Sequence, residues 1–210
     1  HGAWRALRQR WPHAGSVTKQ PRARLRVLEL AGRLRIPFTT GLLVGIGETA
    51  EERVDALLAI RRLRETHGHI QEVIVQNFRA KPDIPMRARP EPSLEELLRT
   101  AAVARLLLGP SANLQAPPNL TGDYGRLLDA GINDWGGVSP LTADFINPEA
   151  PWPHRDALGR AARARGFVLR RRLPVYPEYI LDGTWLPPEL GDRIRGAVDA
   201  DGLVPADAPL

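Results

Sequence analysis

The sequence predicts an α/β fold: about four parallel strands with helices, the C-terminal half of a TIM-type (β/α) barrel, followed by an irregular C-terminal tail. Three observations predict it. Short apolar, β-branched runs alternate with helical patterns along residues 21–166. Serine or threonine caps open two of the helices, and glycines close them. Such alternation implies parallel strands joined by right-handed crossovers. A full barrel needs eight of these units in roughly 250 residues, and this chain of 210 supplies four.

The elements follow in order. Pro21 to Leu34 reads as a helix that offers Leu25, Val27, Leu28, Leu30 and Leu34 for burial. Ile36 to Val44 reads as a buried strand. Thr49, with Glu52 three residues on, forms a capping box, so a helix starts there. Val54, Leu57, Leu58 and Leu63 give it an apolar face, and Gly68 ends it. Ile70 to Phe78, around Val73-Ile74-Val75, is a second buried strand. Ser93 and Glu96 form another capping box. Leu94, Leu97, Leu98, Ala101, Ala104 and Leu108 line that helix, and Gly109-Pro110 stops it. Ala112 to Ala116 is a third strand, and a helix from about Asp123 to Ala130 ends at Gly131. Ile132 to Val138 is a fourth strand, and His154 to Arg165 is a further helix closed by Gly166. The tail from Phe167 holds Pro174, Pro177, Pro187 and Pro188 and reads as an irregular wrap with a short helix near 188–198. The expected divisions are a basic divergent arm (1–20), the partial barrel (21–166) and a C-terminal extension (167–210).

Composition narrows the function classes. Hydrophobic residues at 43% and charged residues at 25% are ordinary for a globular protein. No window approaches the roughly 18 uninterrupted apolar residues of a membrane span, and the N-terminus lacks the apolar run of a signal peptide. The expected location is the cytoplasm, without a membrane partner. The chain has no cysteine, so it holds no disulfide, thiolate nucleophile or cysteine metal site. His13, His67, His69 and His154 show no ligand spacing with carboxylates, so no metal site is expected. Net charge is +5, but residues 1–35 hold eight Arg, Lys19 and one acid, Glu29, a local +8 that leaves −3 for the remainder. Aromatics do not interleave with that basic stretch as base stacking requires, so a solvated arm is expected rather than nucleic-acid binding. The first residue is His1 instead of Met, and with the charge break this reads as a processed chain, a fragment, or a truncated or frameshifted start.

In parallel βα folds the site lies at the C-terminal ends of the strands. Those ends carry Gln76, Asn77, Arg79, Gln115, Asn119, Asn133, Asp134 and Ser139. Buried amides are costly unless paired. Any one of these residues serves equally well to satisfy loop backbone. Eight on one rim point to a pocket for a polar, planar ligand with many hydrogen bonds. Glycines 41, 45 and 47 permit close backbone approach, to a ligand or to a packing neighbour. Gly45-Ile46-Gly47 followed by Ala50 is only a weak dinucleotide pattern, and the next strand ends in Gln76-Asn77 without the required acid.

These residues carry a resemblance. Gly41-Leu42-Leu43-Val44-Gly45-Ile46-Gly47-Glu48 resembles the G-x-I-x-G-x-x-E motif of radical S-adenosylmethionine (SAM) enzymes, with Leu43 at the Ile position. More specific are Gln71-Glu72-Val73-Ile74-Val75-Gln76-Asn77-Phe78-Arg79-Ala80-Lys81-Pro82, Gln115-Ala116-Pro117-Pro118-Asn119-Leu120, Gly131-Ile132-Asn133-Asp134-Trp135-Gly136-Gly137-Val138-Ser139-Pro140 and Pro148-Glu149-Ala150-Pro151-Trp152-Pro153-His154. In that order, over about Pro21 to Tyr179, they resemble the second radical SAM subunit or domain of the 7,8-didemethyl-8-hydroxy-5-deazariboflavin (FO) synthase family.

The resemblance implies a lyase-type radical SAM barrel in coenzyme F-420 biosynthesis. It implies SAM and a four-iron four-sulfur cluster held by a C-x-x-x-C-x-x-C loop. It implies as substrate the adduct of a tyrosine-derived fragment with 5-amino-6-ribitylaminouracil, and as partner a companion radical SAM subunit or fused domain. Gly41, Leu43, Gly45 and Glu48 would shape the SAM side. Glu48 equally suits the dipole of the helix that starts at Thr49. Gln76, Asn77, Arg79, Gln115, Asn119, Asn133, Asp134 and Ser139 would bind substrate, and the catalytic residues stay unassigned. The cluster cysteines are missing from this chain, so it is expected to be inactive alone. The rival readings are a cysteine-free binding or scaffold protein derived from such a barrel, and a sister radical SAM enzyme.

Overall fold

The computed structural model describes residues 16–139 and 141–208. Most of the basic arm, including His13, and Pro140 of the fourth motif lie outside the described residues.

Local signals place most elements. Pro21 opens helix α1 (Pro21–Arg33), where a missing N–H costs nothing. Leu28, Ala31 and Gly32 are buried, while Val27, Leu30 and Leu34 stay exposed. Gly32 is needed because a Cβ there would lie 2.6 Å from Cγ of His67, and His67 in turn meets Glu29 at 3.2 Å. Strand β1 (Phe38–Val44) begins two residues later than the apolar run suggests, after a turn at Arg35 with φ 55. The Thr49 capping box forms in full: Thr49 Oγ1 accepts Glu52 N–H at 3.2 Å, and the Glu52 carboxylate accepts Thr49 N–H at 2.8 Å. It opens α2 (Ala50–His67), which Gly68 ends at φ 68. Strand β2 is Ile70–Asn77. At α3 (Leu94–Leu108) only half of the expected box forms. Ser93 Oγ accepts Glu96 N–H at 3.2 Å, but the Glu96 carboxylate is taken by Arg53. The remaining elements are β3 (Leu114–Gln115), α4 (Tyr124–Asp129), α5 (Arg155–Arg163), α6 (Pro177–Asp182) and α7 (Pro188–Arg195).

The strands pair in parallel in the order β1-β2-β3. Gly41 faces Ile74, Leu43 faces Gln76, and Ile74 faces Gln115. Alternation then gives the sheet two unlike faces. On the outer face Val44, Val73, Val75 and Leu114 pack with Leu57, Ile60, Leu97, Leu98, Ala101 and Ala104 of the helices into the main core. The inner face presents Thr39, Gly41 and Leu43, then Glu72, Ile74 and Gln76, then Gln115. A Cβ at Gly41 would sit 2.2 Å from the Ile74 carbonyl oxygen, so this glycine serves the approach of β1 to β2.

Two expectations are corrected. Ile132 to Val138 is not a fourth strand: only an isolated parallel bridge joins Gln115 to Asp134. Side chains compete with the ladder there. Leu114 N–H donates to Asn133 Oδ1 (2.7 Å), both Asn133 and Asp134 N–H turn to the Leu114 carbonyl, and Gly136 N–H turns to Asp134 Oδ1 (2.6 Å). The described sheet therefore has three strands rather than about four. The tail is also more ordered than an irregular wrap with one helix. Its α6 buries Tyr179 and Ile180, and Tyr179 O–H donates to the Gly68 carbonyl at 2.8 Å. The Tyr179 ring meets Trp185 edge-on at 5.0 Å, and the Arg35 guanidinium lies 4.6 Å from the Trp185 ring. Among the described residues no helix is long and apolar enough to cross a membrane.

Candidate functional site

The β1–α2 loop is held from within. Gly45 and Gly47 adopt φ of 95 and 110, which disfavours any Cβ. A Cβ at Gly45 would lie 2.6 Å from Pro92, and one at Gly47 would lie 2.9 Å from the Arg89 guanidinium. The Glu48 carboxylate accepts Gly45 N–H at 2.7 Å, Ile46 N–H at 2.8 Å and Arg53 Nε–H at 2.8 Å. Arg53 also donates to Thr100 Oγ1 and to Glu96, tying the loop to α3. Gly45, Gly47 and Glu48 thus meet protein groups. Gly41 and Leu43 lie on the inner face, where Leu43 is 41% exposed.

The next two strand ends carry unsatisfied groups. Asn77 is buried and its Oδ1 has no partner among the described residues. Gln76 beside it is half-buried. Arg79 pairs with Glu91 at 3.0 Å, while its buried Nε has no partner among the described residues. Asn119 donates to Asp144 Oδ2 at 2.9 Å and to the Ala150 carbonyl at 3.0 Å, leaving its Oδ1 without a partner among the described residues. Burial alone would raise the Asp144 pKa, but donors from Asn147, Asn119 and the backbone at Ile146 outweigh it and lower it to about 2. Ser139 Oγ accepts from Leu141 N–H, Thr142 N–H and Thr142 O–H, at 3.3, 3.0 and 2.8 Å. Asn119 and Ser139 therefore fold the loop after the fourth segment.

The inner face holds a connected polar cluster beside a cleft of about 1320 Å³. Thr39 O–H donates to Glu72 Oε2 at 3.0 Å, and Tyr176 O–H donates to Glu72 Oε1 at 2.9 Å. Arg172 reaches in from the C-terminal segment. Its Nε–H donates to Asp134 Oδ2 at 2.5 Å, and its Nη2 donates to Glu72 Oε1, Asp134 Oδ1 and Tyr176 Oη, each at 3.0 Å. Its guanidinium carbon lies 3.9 Å from the centre of the Tyr176 ring. Burial pushes the Tyr176 phenol well above its usual range, and the Asp134 and Glu72 carboxylates push it further. For Arg172, burial opposes the charge, but the hydrogen bond and charge of Asp134, with help from Tyr176 and Glu72, win and raise its pKa. Gln115 lies in the same wall. Its Nε2 donates to the Trp135 carbonyl at 3.3 Å, and its buried Oε1 has no partner among the described residues.

The cleft brings together Gln115, Asn133 and Asp134 from the expected set. Asn133 meets it only from the N-terminal side, where its Oδ1 accepts from Leu114 N–H and from Arg105 at 3.0 Å. Gln76, Asn77, Arg79, Asn119 and Ser139 do not line it. Sequence reasoning missed Thr39, Glu72, Arg172 and Tyr176. Glu72 carried a signal, the one carboxylate of strand β2. Arg172 carried none, because its partner Glu72 is 100 positions away. Among the described residues no group of three or more His, Asp or Glu has the placement to hold a metal ion.

No family model matches the chain. It is 56% identical over 202 residues to the FO synthase of Streptomyces avermitilis, covering 95% of this chain and 24% of that protein. It is 54% identical over 193 residues to the 7,8-didemethyl-8-hydroxy-5-deazariboflavin synthase of Methanopyrus kandleri, covering 91% of this chain and 57% of that protein. With the FO synthase of Mycobacterium tuberculosis the identity is 56% over 191 residues, covering 90% of this chain and 22% of that protein. The chain thus spans between about a fifth and somewhat more than half of the curated relatives it matches. It is a homologue of the FO synthases, corresponding over nearly its whole length to a part of theirs.

Proposed function

We propose that this chain is the substrate-side portion of a radical SAM FO synthase, with residues 21–166 as part of the radical SAM barrel and 167–210 as an extension that closes its inner face. The carrying observation is identity above one half to FO synthases across more than nine-tenths of the chain. The substrate of this reading is the adduct of a tyrosine-derived fragment with 5-amino-6-ribitylaminouracil. The orphaned acceptor Gln115 Oε1, in the cleft wall, suits it, because a ribityl-uracil offers many N–H and O–H donors, and Asn77 Oδ1 and Asn119 Oδ1 are proposed as further acceptors outside the cleft. Gln76, Arg79, Asn133, Asp134 and Ser139 complete the proposed substrate set, three of them as tethers of the loops around it.

SAM fits one feature. Leu43 is partly exposed beside Gly41, a flat apolar step at the free edge of β1 on which a purine can lie. Bound SAM would supply the radical precursor. Gly45 and Glu48 act behind that step by fixing the loop. The iron–sulfur cluster does not fit, since there is no cysteine to ligate it. Its ligands must come from another segment or a companion subunit, and the chain's own task is to bind and orient substrate and exclude water.

Calorimetry with SAM and with 5-amino-6-ribitylaminouracil tests the reading, with binding of both expected. Iron–sulfide reconstitution of this chain is expected to give no visible cluster chromophore, and a stable cluster would overturn the ligand argument. The missing cysteines also favour a second reading, a binding protein without catalysis. Restored turnover on addition of a cysteine-bearing companion excludes it, and tight binding without turnover supports it.

A further inference from the structure

We propose that Arg172 is a positioning residue, which holds Asp134 and, through the Gly136 turn, sets the Gln115 carboxamide that reads an N–H donor of the bound ligand. The proposal rests on the reading above, in which the inner-face cleft holds a ribityl-uracil.

A continuous run of contacts joins Arg172 to Gln115. Arg172 grips both oxygens of Asp134, through Nε–H and Nη2–H. Asp134 Oδ1 accepts Gly136 N–H at 2.6 Å. Gly136 turns back at φ 68, and a Cβ on it would fall 2.2 Å from Gln115 Nε2. The turn therefore lies directly against the carboxamide, and its positive φ favours glycine. The Trp135 carbonyl takes Gln115 Nε2–H, which orients the amide and leaves Oε1 as a buried acceptor without a partner among the described residues. Leaving a buried acceptor so is costly until a donor arrives.

Most of the Arg172 donors are already taken by protein groups. Nη1 donates to the Leu173 carbonyl at 3.0 Å, and Nη2 also serves Glu72 and the Tyr176 hydroxyl. It acts through the groups it holds. A rigid planar fork suits this task, because a lysine ammonium cannot bridge two carboxylates in one plane. Stability alone is a poor reason for such a cluster, since apolar residues of similar volume often stabilise as well or better.

The test compares Arg172→Met, Asp134→Asn and the double variant in the full chain, with 5-amino-6-ribitylaminouracil as probe. We expect each single variant to weaken binding about tenfold and the double variant to lose little more, because the two residues act in series. Hydrogen exchange supplies a readout that needs no ligand. Arg172→Met is expected to speed exchange of the Gly136 amide at least tenfold while Val73 and Val75 keep their protection. Additive losses, unchanged affinity in Arg172→Met, or equal loss of protection throughout the sheet overturns the proposal. If the unaltered chain does not bind the probe, the functional reading fails, and the exchange pattern alone still decides whether Arg172 positions the turn.

Discussion

The two faces of the sheet are built on opposite principles. Behind it, α2 and α3 cover Val44, Val73, Val75 and Leu114 with aliphatic side chains that are almost wholly buried. In front of it, Thr39, Glu72, Gln115 and Asp134 meet Arg172 and Tyr176 through directional bonds beside an open cleft. The back derives its energy from area removed from water, which tolerates small displacements. The front derives its order from hydrogen-bond geometry, which does not. A protein that needs a shaped polar surface can thus place the demand for stability on one face and the demand for precision on the other.

Substitutions on the two faces test that division. The largest loss is expected at the back: Leu97→Ala should remove about 2–5 kcal/mol of unfolding free energy, read from the denaturant midpoint, because Leu97 is 2% exposed within the core. At the front, Glu72→Ala strips one carboxylate from Arg172, Tyr176 and Thr39. Removing one partner of a buried pair is costly, but the Arg172 side chain keeps 18% of its exposure, so about 2 kcal/mol is expected. A loss at Glu72 that exceeds the loss at Leu97 would reverse the assignment of roles. Next comes the helix start, where Thr49→Ala deletes one arm of the capping box and should cost about 1 kcal/mol.

The smallest effect is a pH dependence at Asp144. Its folded pKa of about 2 lies below the ordinary 3.8, so the unfolded chain binds the proton more readily. The stabilisation is fully present above pH 3.8 and is lost as pH falls towards 2. Partial exposure and solvent screening limit it to about 1 kcal/mol. Melting curves between pH 5 and pH 2 should show this step, and Asp144→Asn should flatten it. An unchanged step in that variant would assign the titration to another carboxylate.

Legibility followed the same division. The helices behind the sheet announce themselves through Thr49, Ser93, Asp123 and the glycines at 68, 109 and 131, because caps act within four residues. The apolar runs of β1 and β2 are equally plain. The segment 132–138 looked like a strand because Ile132, Trp135 and Val138 are apolar, yet Asn133 and Asp134 turned their own side chains onto the backbone. Of the expected site residues, the cleft gathers Gln115, Asn133 and Asp134, while Asn119 and Ser139 shape a loop. The strand-end rule points to a rim, and it cannot show which amides the rim consumes for itself.

The sequence by itself determined the order of helices and strands, the caps, the apolar back of the sheet, and through its long polar motifs the likeness to FO synthases. Each of these depends on residues within a turn or a strand of one another. The tertiary structure decided that Arg172 and Tyr176, in a tail that reads as irregular, close the inner face onto Glu72 and Asp134. That pairing spans 100 positions, and no local propensity encodes it. It arises because two carboxylates on a half-buried face need a planar cation, and the fold of α5 and the chain after it brings one within 3 Å.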